Sequence, residues 1–388
     1  MCIAYKGTGK AGIRMDHFIY KDQKKLRLGY TTGTCAAAAT KAAARMLLGG
    51  ERLYEVELIT PKGIPLRLKV EQIVMEENKV SCAIRKDAGD DYDVTNGAYV
   101  YASVEKIKQG YEIDGGEGIG RVTKPGLDQS VGSAAINTVP RQMMAEVMRE
   151  AADEYAYEGG LRTVISVPEG VDMAKKTLNE KMGIVGGISI LGTSGIVEPM
   201  SEAALTDTIR AELSMYSAQG QKDIIITPGN YGETFLTEKL GLDLSHTVKC
   251  SNFIGETIDM TYEFRLTSIL LIGHLGKLVK LGSGIMNTHS KYADGRMETL
   301  SSCVLLAGGS AELARRILDC NTTDEAVEVL WMAAFLQPVM EQLMRKIKSA
   351  LLQRAYEGLE IEAVVFSNRF GVLGKTEGAE KLMLLHRE

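Results

Sequence analysis

What the chain lacks narrows the field first. Its 388 residues contain no G-x-x-x-x-G-K-[ST] run, which speaks against a P-loop phosphotransferase. They contain no G-x-S-x-G either, and a strand–elbow–helix hydrolase would want one. The six cysteines (Cys2, Cys35, Cys82, Cys250, Cys303 and Cys320) are scattered without a close pair. That is neither a disulfide framework nor a zinc knuckle, and it reads as a reduced, cytoplasmic protein. No apolar run approaches a membrane span, and Met1–Lys10 has no apolar centre to serve as a signal peptide. A formal charge of −5 argues against wholesale nucleic-acid binding, so an anionic partner would need a local cationic pocket.

What is present reads as a globular chain, 45% hydrophobic and 24% charged, with length for about two or three domains. Its most informative stretch is Leu28-Gly29-Tyr30-Thr31-Thr32-Gly33-Thr34-Cys35, running into Ala36–Ala39, Thr40, Lys41 and Ala42–Ala44. A Thr/Gly turn opens a helix with almost no side-chain bulk. Its leading amides, which lack intrahelical partners, suit an anion, and the Thr hydroxyls add donors. An ordinary Thr-capped helix, its alanines allowing close packing, is the other reading.

Residues 1–26 are polar and read as an irregular lead-in. Tyr54–Thr60, Pro65–Met75, Lys79–Ile84, Tyr99–Lys106 and Arg121–Thr123 read as strands, and Met143–Tyr157 as an amphipathic helix. This predicts an α+β domain over 27–158. From 159 to 388 the pattern becomes strand, glycine-rich turn, helix, repeated, and it ends in a helical C-terminal segment. Thr163–Val167, Ile188–Leu191, Asp223–Thr227, Val248–Asn252 and Ser268–Gly273 are the strands of an expected parallel sheet. Ligands of such sheets bind beyond the carboxyl ends of the strands. The turns Gly192-Thr193-Ser194-Gly195, Pro228-Gly229-Asn230-Tyr231-Gly232 and His274-Leu275-Gly276-Lys277 are therefore the cofactor candidates.

Asp114-Gly115-Gly116-Glu117-Gly118-Ile119-Gly120 fits the D-x-G-x-G-x-G loop of common methyltransferases. It is followed by β character and a proline where a helix should start, so it reads as a glycine-rich turn. Asp87-Ala88-Gly89-Asp90-Asp91-Tyr92-Asp93 gathers four carboxylates, either as a general base or cation holder or as a solvated turn with Asx caps. Asn287-Thr288-His289-Ser290 with Asp294, Arg296 and Glu298 fits no standard metal site and reads as a hydrogen-bonded loop shaping a pocket. His274, at a predicted strand's carboxyl end, is either a structural histidine or a catalyst.

Several of these stretches together resemble one family. Gly29–Ala36, Lys86–Asp91, Gly118–Thr123, Gly192–Val197, Ile272–Lys277, Asn287–Ser290 and Ala293–Glu298 are similar, in order, to the motifs of the CbiD family, the cobalt-precorrin-5B C(1)-methyltransferases of anaerobic cobalamin synthesis. The resemblance runs from about residue 27 to 300. It implies an α+β N-terminal domain like a permuted ribosomal-protein fold, followed by an α/β domain with a parallel sheet. It also implies transfer of a methyl group from S-adenosylmethionine to C-1 of cobalt-precorrin-5B, giving cobalt-precorrin-6A. No protein-bound metal is expected, because cobalt comes with the substrate.

Under that resemblance Gly192, Thr193, Ser194, Gly195, Gly229 and Asn230 are expected to hold S-adenosylmethionine, with His274 at the edge. Thr31, Thr32, Gly33, Thr34, Arg121, Lys124 and His289 are expected to meet the tetrapyrrole and its carboxylate arms. Asp90 or Asp91 is expected to accept a proton, and a homo-oligomer is compatible with the chain. Two rivals stand beside this reading: a non-catalytic corrinoid carrier, which has no reason to bind S-adenosylmethionine, and a small-molecule kinase, which ATP turnover would reveal.

Overall fold

The computed structural model describes residues 17–229, 240–243 and 245–387. The chain divides into two units, Met1–Ser201 and Glu202–Glu388.

The first unit is organised around one helix. α1 (Thr32–Gly49) is buried along nearly its whole length, with Ala36–Ala39 and Ala42–Ala44 fully enclosed. Alanine has the highest helix propensity and the smallest Cβ-bearing side chain, so this run both forms a helix and lets neighbours approach on every side. Gly50 ends it in the left-handed region (φ 78°), its N–H returning to the Met46 carbonyl. α1 packs on α2 (Thr138–Glu154) and on a five-stranded sheet ordered β6-β7-β8-β11-β9. Those strands are β6 (Glu71–Met75), β7 (Lys79–Arg85), β8 (Tyr99–Ile107), β9 (Tyr111–Gly115) and β11 (Gly160–Ser166).

Smaller pairings complete this unit. β1 (Phe18–Lys21) joins β2 (Lys24–Arg27), and β4 (Glu55–Ile59) joins β5 (Pro65–Lys69). β3 (Gly29–Tyr30) pairs with β13 (Ile196–Val197), and β10 (Arg121–Val122) with β12 (Ile184–Val185). A short helix, α3 (Gly170–Ala174), follows β11.

Two expectations are corrected here. The lead-in contains a hairpin at Phe18–Arg27, while residues 1–16 lie outside the described residues. The division between units falls after Ser201, not at 158/159. β11 belongs to the first sheet, antiparallel to β8 and parallel to β9, so it does not open the parallel sheet. Ile188–Leu191 forms only isolated bridges, Ile188 with Ile119 and Ile190 with Ile136.

The second unit matches the expected α/β pattern. After α4 (Glu202–Ala218) come β14 (Asp223–Thr227), β15 (Thr247–Lys249), α5 (Ile254–Glu263) and β16 (Ser268–His274). α6 (Leu275–Leu278), α7 (Arg296–Leu306), α8 (Ala311–Leu318), α9 (Thr323–Met332) and α10 (Leu336–Arg354) follow. The chain closes with β17 (Glu360–Ser367), β18 (Gly371–Lys375) and α11 (Ala379–Leu384). The sheet order is β15-β14-β16-β17-β18, with the first four strands parallel and β18 antiparallel. Ile224–Ile226, Ile269–Ile272 and Ala363–Phe366 are fully buried, the unbroken apolar runs of strands covered on both faces. From β14 the chain steps to β15 on one side and then to β16 on the other. The point where the order reverses therefore lies between β14 and β16, where open α/β sheets take their ligands.

Candidate functional site

The start of α1 is engaged by its own chain. Thr31 caps it, its hydroxyl accepting the Thr34 amide at 3.2 Å. The Gly33 amide donates to the Leu191 carbonyl at 2.8 Å, and the Thr32 hydroxyl accepts the Leu191 amide at 2.9 Å. The Thr34 hydroxyl donates to the Gly195 carbonyl at 2.7 Å, and the Thr31 amide donates to the same oxygen at 3.1 Å. Thr32, Gly33 and Thr34 are buried.

Gly192–Gly195 is therefore the clasp on α1. It does not end a strand of the parallel sheet, which corrects the expectation that it follows one of that sheet's strands. Gly192 sits at φ 141°, and a Cβ there would lie 2.2 Å from the Thr31 hydroxyl oxygen. Gly195 (φ 78°) packs on Thr60 and Thr34. Ser194 bonds within its own turn, to Ile196, and Thr193 is exposed. The Thr31, Gly33 and Thr34 amides and the Thr32 and Thr34 hydroxyls, expected to meet an anion, are used inside the fold.

The acidic loop is likewise internally bonded. Asp87 takes both guanidinium nitrogens of Arg27, at 2.6 and 2.7 Å. Asp93 pairs with the buried Lys86 and accepts the Thr95 amide and hydroxyl at 2.8 and 2.6 Å. Burial acts to raise the Asp93 pKa, yet Lys86 and the Thr95 donors outweigh it and hold the carboxyl below its usual value. Asp90 accepts the Arg27 amide at 2.7 Å and is exposed; Asp91 accepts the Met200 amide at 3.1 Å and is half-buried.

Asp114–Gly120 is a packed turn, as its context indicated. A Cβ on Gly118 (φ 72°) would lie 1.8 Å from the Val167 carbonyl oxygen. Arg121 is exposed, forked onto Asp114 at 2.7 and 3.2 Å, and its guanidinium holds that carboxyl below the usual range. Lys124 is half-buried and donates to the Lys181 carbonyl at 3.1 Å.

In the second unit the polar groups gather at the carboxyl ends of the sheet. β16 ends in His274, whose Nδ1 accepts the Gly276 amide at 3.1 Å, which places the ring proton on Nε2. Burial lowers the His274 pKa, with Asp324 opposing, so the ring is neutral at pH 7. Its edge meets Phe366, the partner of His274 in the β16–β17 register. Asp324, in the first turn of α9, accepts the Ser367 hydroxyl at 2.9 Å. Lys277 donates to the carbonyl oxygen of Pro228, so one ammonium ties the turn after β16 to the turn after β14. Among the described residues, the nearest atom that a Cβ on Gly229 would meet is Lys277 Nζ, at 3.9 Å. Asn230 lies outside the described residues.

The Asn287–Glu298 loop is fastened beside β15. The Thr288 amide donates to the Asn252 carbonyl at 3.0 Å, and the buried Lys280 holds the Thr288 and Ala293 carbonyls at 3.1 and 2.8 Å. His289 is exposed, its Nδ1 accepting the Lys291 amide at 3.1 Å. Asp294 pairs with Arg296 at 2.5 Å. The five described cysteines are buried and unpaired with one another; desolvation pushes the Cys250 thiol up to about 12. The sequence presents Lys277 only as the last residue of a candidate turn and does not single out Asp324, which reaches the site only through the fold.

A family model described as CbiD matches residues 19–199, and one described as CbiD, C-terminal domain, matches residues 287–377. A protein of Ruminiclostridium cellulolyticum named cobalt-precorrin-5B C(1)-methyltransferase is 50% identical over 91% of this chain and 92% of its own. One of the same name from Alkaliphilus metalliredigens is 47% identical over 95% and 97%. A crystal structure of the cobalamin biosynthesis protein cbiD from Archaeoglobus fulgidus is 30% identical, covers 71% of this chain and 86% of that one, and superposes with a TM-score of 0.39.

Proposed function

The chain belongs to the CbiD family, and from that premise we propose that it is a cobalt-precorrin-5B C(1)-methyltransferase. It transfers a methyl group from S-adenosylmethionine to C-1 of cobalt-precorrin-5B, giving cobalt-precorrin-6A. The observation that carries this is similarity along nearly the whole of both chains to relatives bearing that name.

Methyl transfer needs an in-line approach of a nucleophilic ring carbon to the sulfonium methyl, and no covalent intermediate on the protein. Positioning is therefore the protein's main task. The conjugated macrocycle supplies the nucleophile, and cobalt enters as part of the substrate.

The site assigned to the methyl donor is the β14/β16 strand ends, with Gly229 and His274. The room around Gly229 among the described residues and the neutral, anchored ring of His274 support it. Gly192, Gly195 and Thr31–Thr34 are left out of the ligand contacts, because they hold the first unit together. The carboxylate arms of the tetrapyrrole are assigned to Arg121 and Lys124. Asp90 and Asp91 are kept as proton acceptors, since neither forms an ion pair as Asp87 and Asp93 do.

Saturable binding of S-adenosylmethionine together with turnover of cobalt-precorrin-5B supports the enzyme. Tetrapyrrole binding without either would make the chain a carrier.

A further inference from the structure

The Lys277 ammonium is half-buried at the point where the sheet order reverses, and among the described residues its one hydrogen bond is to the carbonyl oxygen of Pro228. Among the described residues no carboxylate pairs with it. Its charged surroundings are the Cys250 thiol, neutral at pH 7, and a second ammonium, Lys280, which is itself spent on two carbonyls of the 288–293 loop. A cation withdrawn from water against another cation is costly unless an anion meets it. An ammonium has three N–H donors, and Pro228 takes one.

A second observation lies in the residue before Pro228. Thr227 is fully buried, and its hydroxyl has no hydrogen-bond partner among the described residues. Ile226 pairs with Leu271, so by alternation along the strands Thr227 lies on the sheet face that carries Ile272 and His274. Among the described residues, a cation without a carboxylate and a hydroxyl without a partner thus stand at the end of β14, beside Gly229.

We infer that Lys277 is the seat of a ligand carboxylate, and that this carboxylate is the α-carboxylate of the methyl donor's methionyl group. The assignment rests on the donor site proposed above. The tetrapyrrole's acetate and propionate arms offer the same chemistry, so the test separates the two sources.

The test is calorimetric binding to the full chain and to its Lys277→Met and Lys277→Arg variants. The probes are S-adenosylhomocysteine, 5′-deoxy-5′-methylthioadenosine (which lacks the carboxylate) and cobalt-precorrin-5B. Lys277→Met is expected to weaken S-adenosylhomocysteine about tenfold to a hundredfold, the range of a charge-assisted hydrogen bond, and Lys277→Arg only a few-fold. The thioether nucleoside and the tetrapyrrole should bind Lys277→Met as they bind the wild type. Equal loss of all three probes, or loss of the tetrapyrrole alone, overturns the assignment. So does an unchanged affinity for S-adenosylhomocysteine. If the wild type binds neither adenosyl compound, the donor site itself is wrong, a failure distinct from that of Lys277.

Discussion

The ring of His274 presents Nε2 to Asp324 at 4.0 Å, on the carboxylate oxygen that already accepts the Ser367 hydroxyl. Three elements, β16, α9 and β17, thereby fix one neutral imidazole at the end of the parallel sheet. The Gly276 amide secures its other nitrogen, so both the tautomer and the ring plane are set by the fold.

That arrangement has a pH signature. A histidine whose folded pKa lies below its ordinary 6.5 leaves stability untouched above that pH; below it the unfolded chain takes up the proton more readily, and stability falls. His386, lowered by burial, adds the same sign. His274→Asn keeps a side-chain acceptor for the Gly276 amide and removes the titration. Chemical denaturation below pH 6.5 should show a shallower loss for His274→Asn than for the wild type. Equal slopes would contradict the assignment.

The clasp on α1 predicts a stability effect, not a ligand effect. Gly192→Val places a side chain against Thr31 at a left-handed backbone position, and Gly33→Val pushes into Pro140 and the Leu191 carbonyl. Each should cost about 3 kcal/mol or more, Gly33→Val by overpacking and Gly192→Val by overpacking together with backbone strain. Denaturant unfolding checks this, and wild-type stability in both variants would contradict it.

The Lys86–Asp93 pair should show strong coupling. Lys86 is almost fully buried, so Asp93→Asn leaves an uncompensated charge and should cost about 3–5 kcal/mol. Lys86→Met with Asp93→Asn should cost less than Asp93→Asn alone, as a double-mutant cycle reads directly. Because the Asp93 pKa is depressed, its contribution is present above the ordinary 3.8 and disappears as pH falls through the folded value.

If Arg121 and Lys124 meet the substrate's carboxylate arms, the Arg121→Ala, Lys124→Ala double variant loses ground-state contacts only. KM for the tetrapyrrole should rise about tenfold with kcat changed less than about twofold. A fall in kcat at unchanged KM would place these side chains elsewhere.

The second sheet was legible because β14 and β16 are unbroken runs of Ile and Leu, and a strand buried on both faces needs such a run. The unit boundary was not, because β11 reads as a strand in either sheet. Its alternation, with Leu161, Thr163 and Ile165 buried and Arg162, Val164 and Ser166 half-buried, was the available signal that it pairs in the first sheet. The Gly192–Gly195 turn misled for a different reason. Glycine demanded by a neighbouring Thr31 and glycine that admits a ligand look the same in a sequence. Lys277 became informative only once the fold showed what stands around it and what does not.

The central claim concerns where the methyl group goes. Incubating the protein with cobalt-precorrin-5B and S-adenosylmethionine carrying a 13C-labelled methyl, then locating the label in the product by NMR, tests it directly. The account predicts one labelled methyl group, on C-1 of the macrocycle. A label on any other ring position, or an unlabelled tetrapyrrole recovered from protein that binds it, would contradict the account.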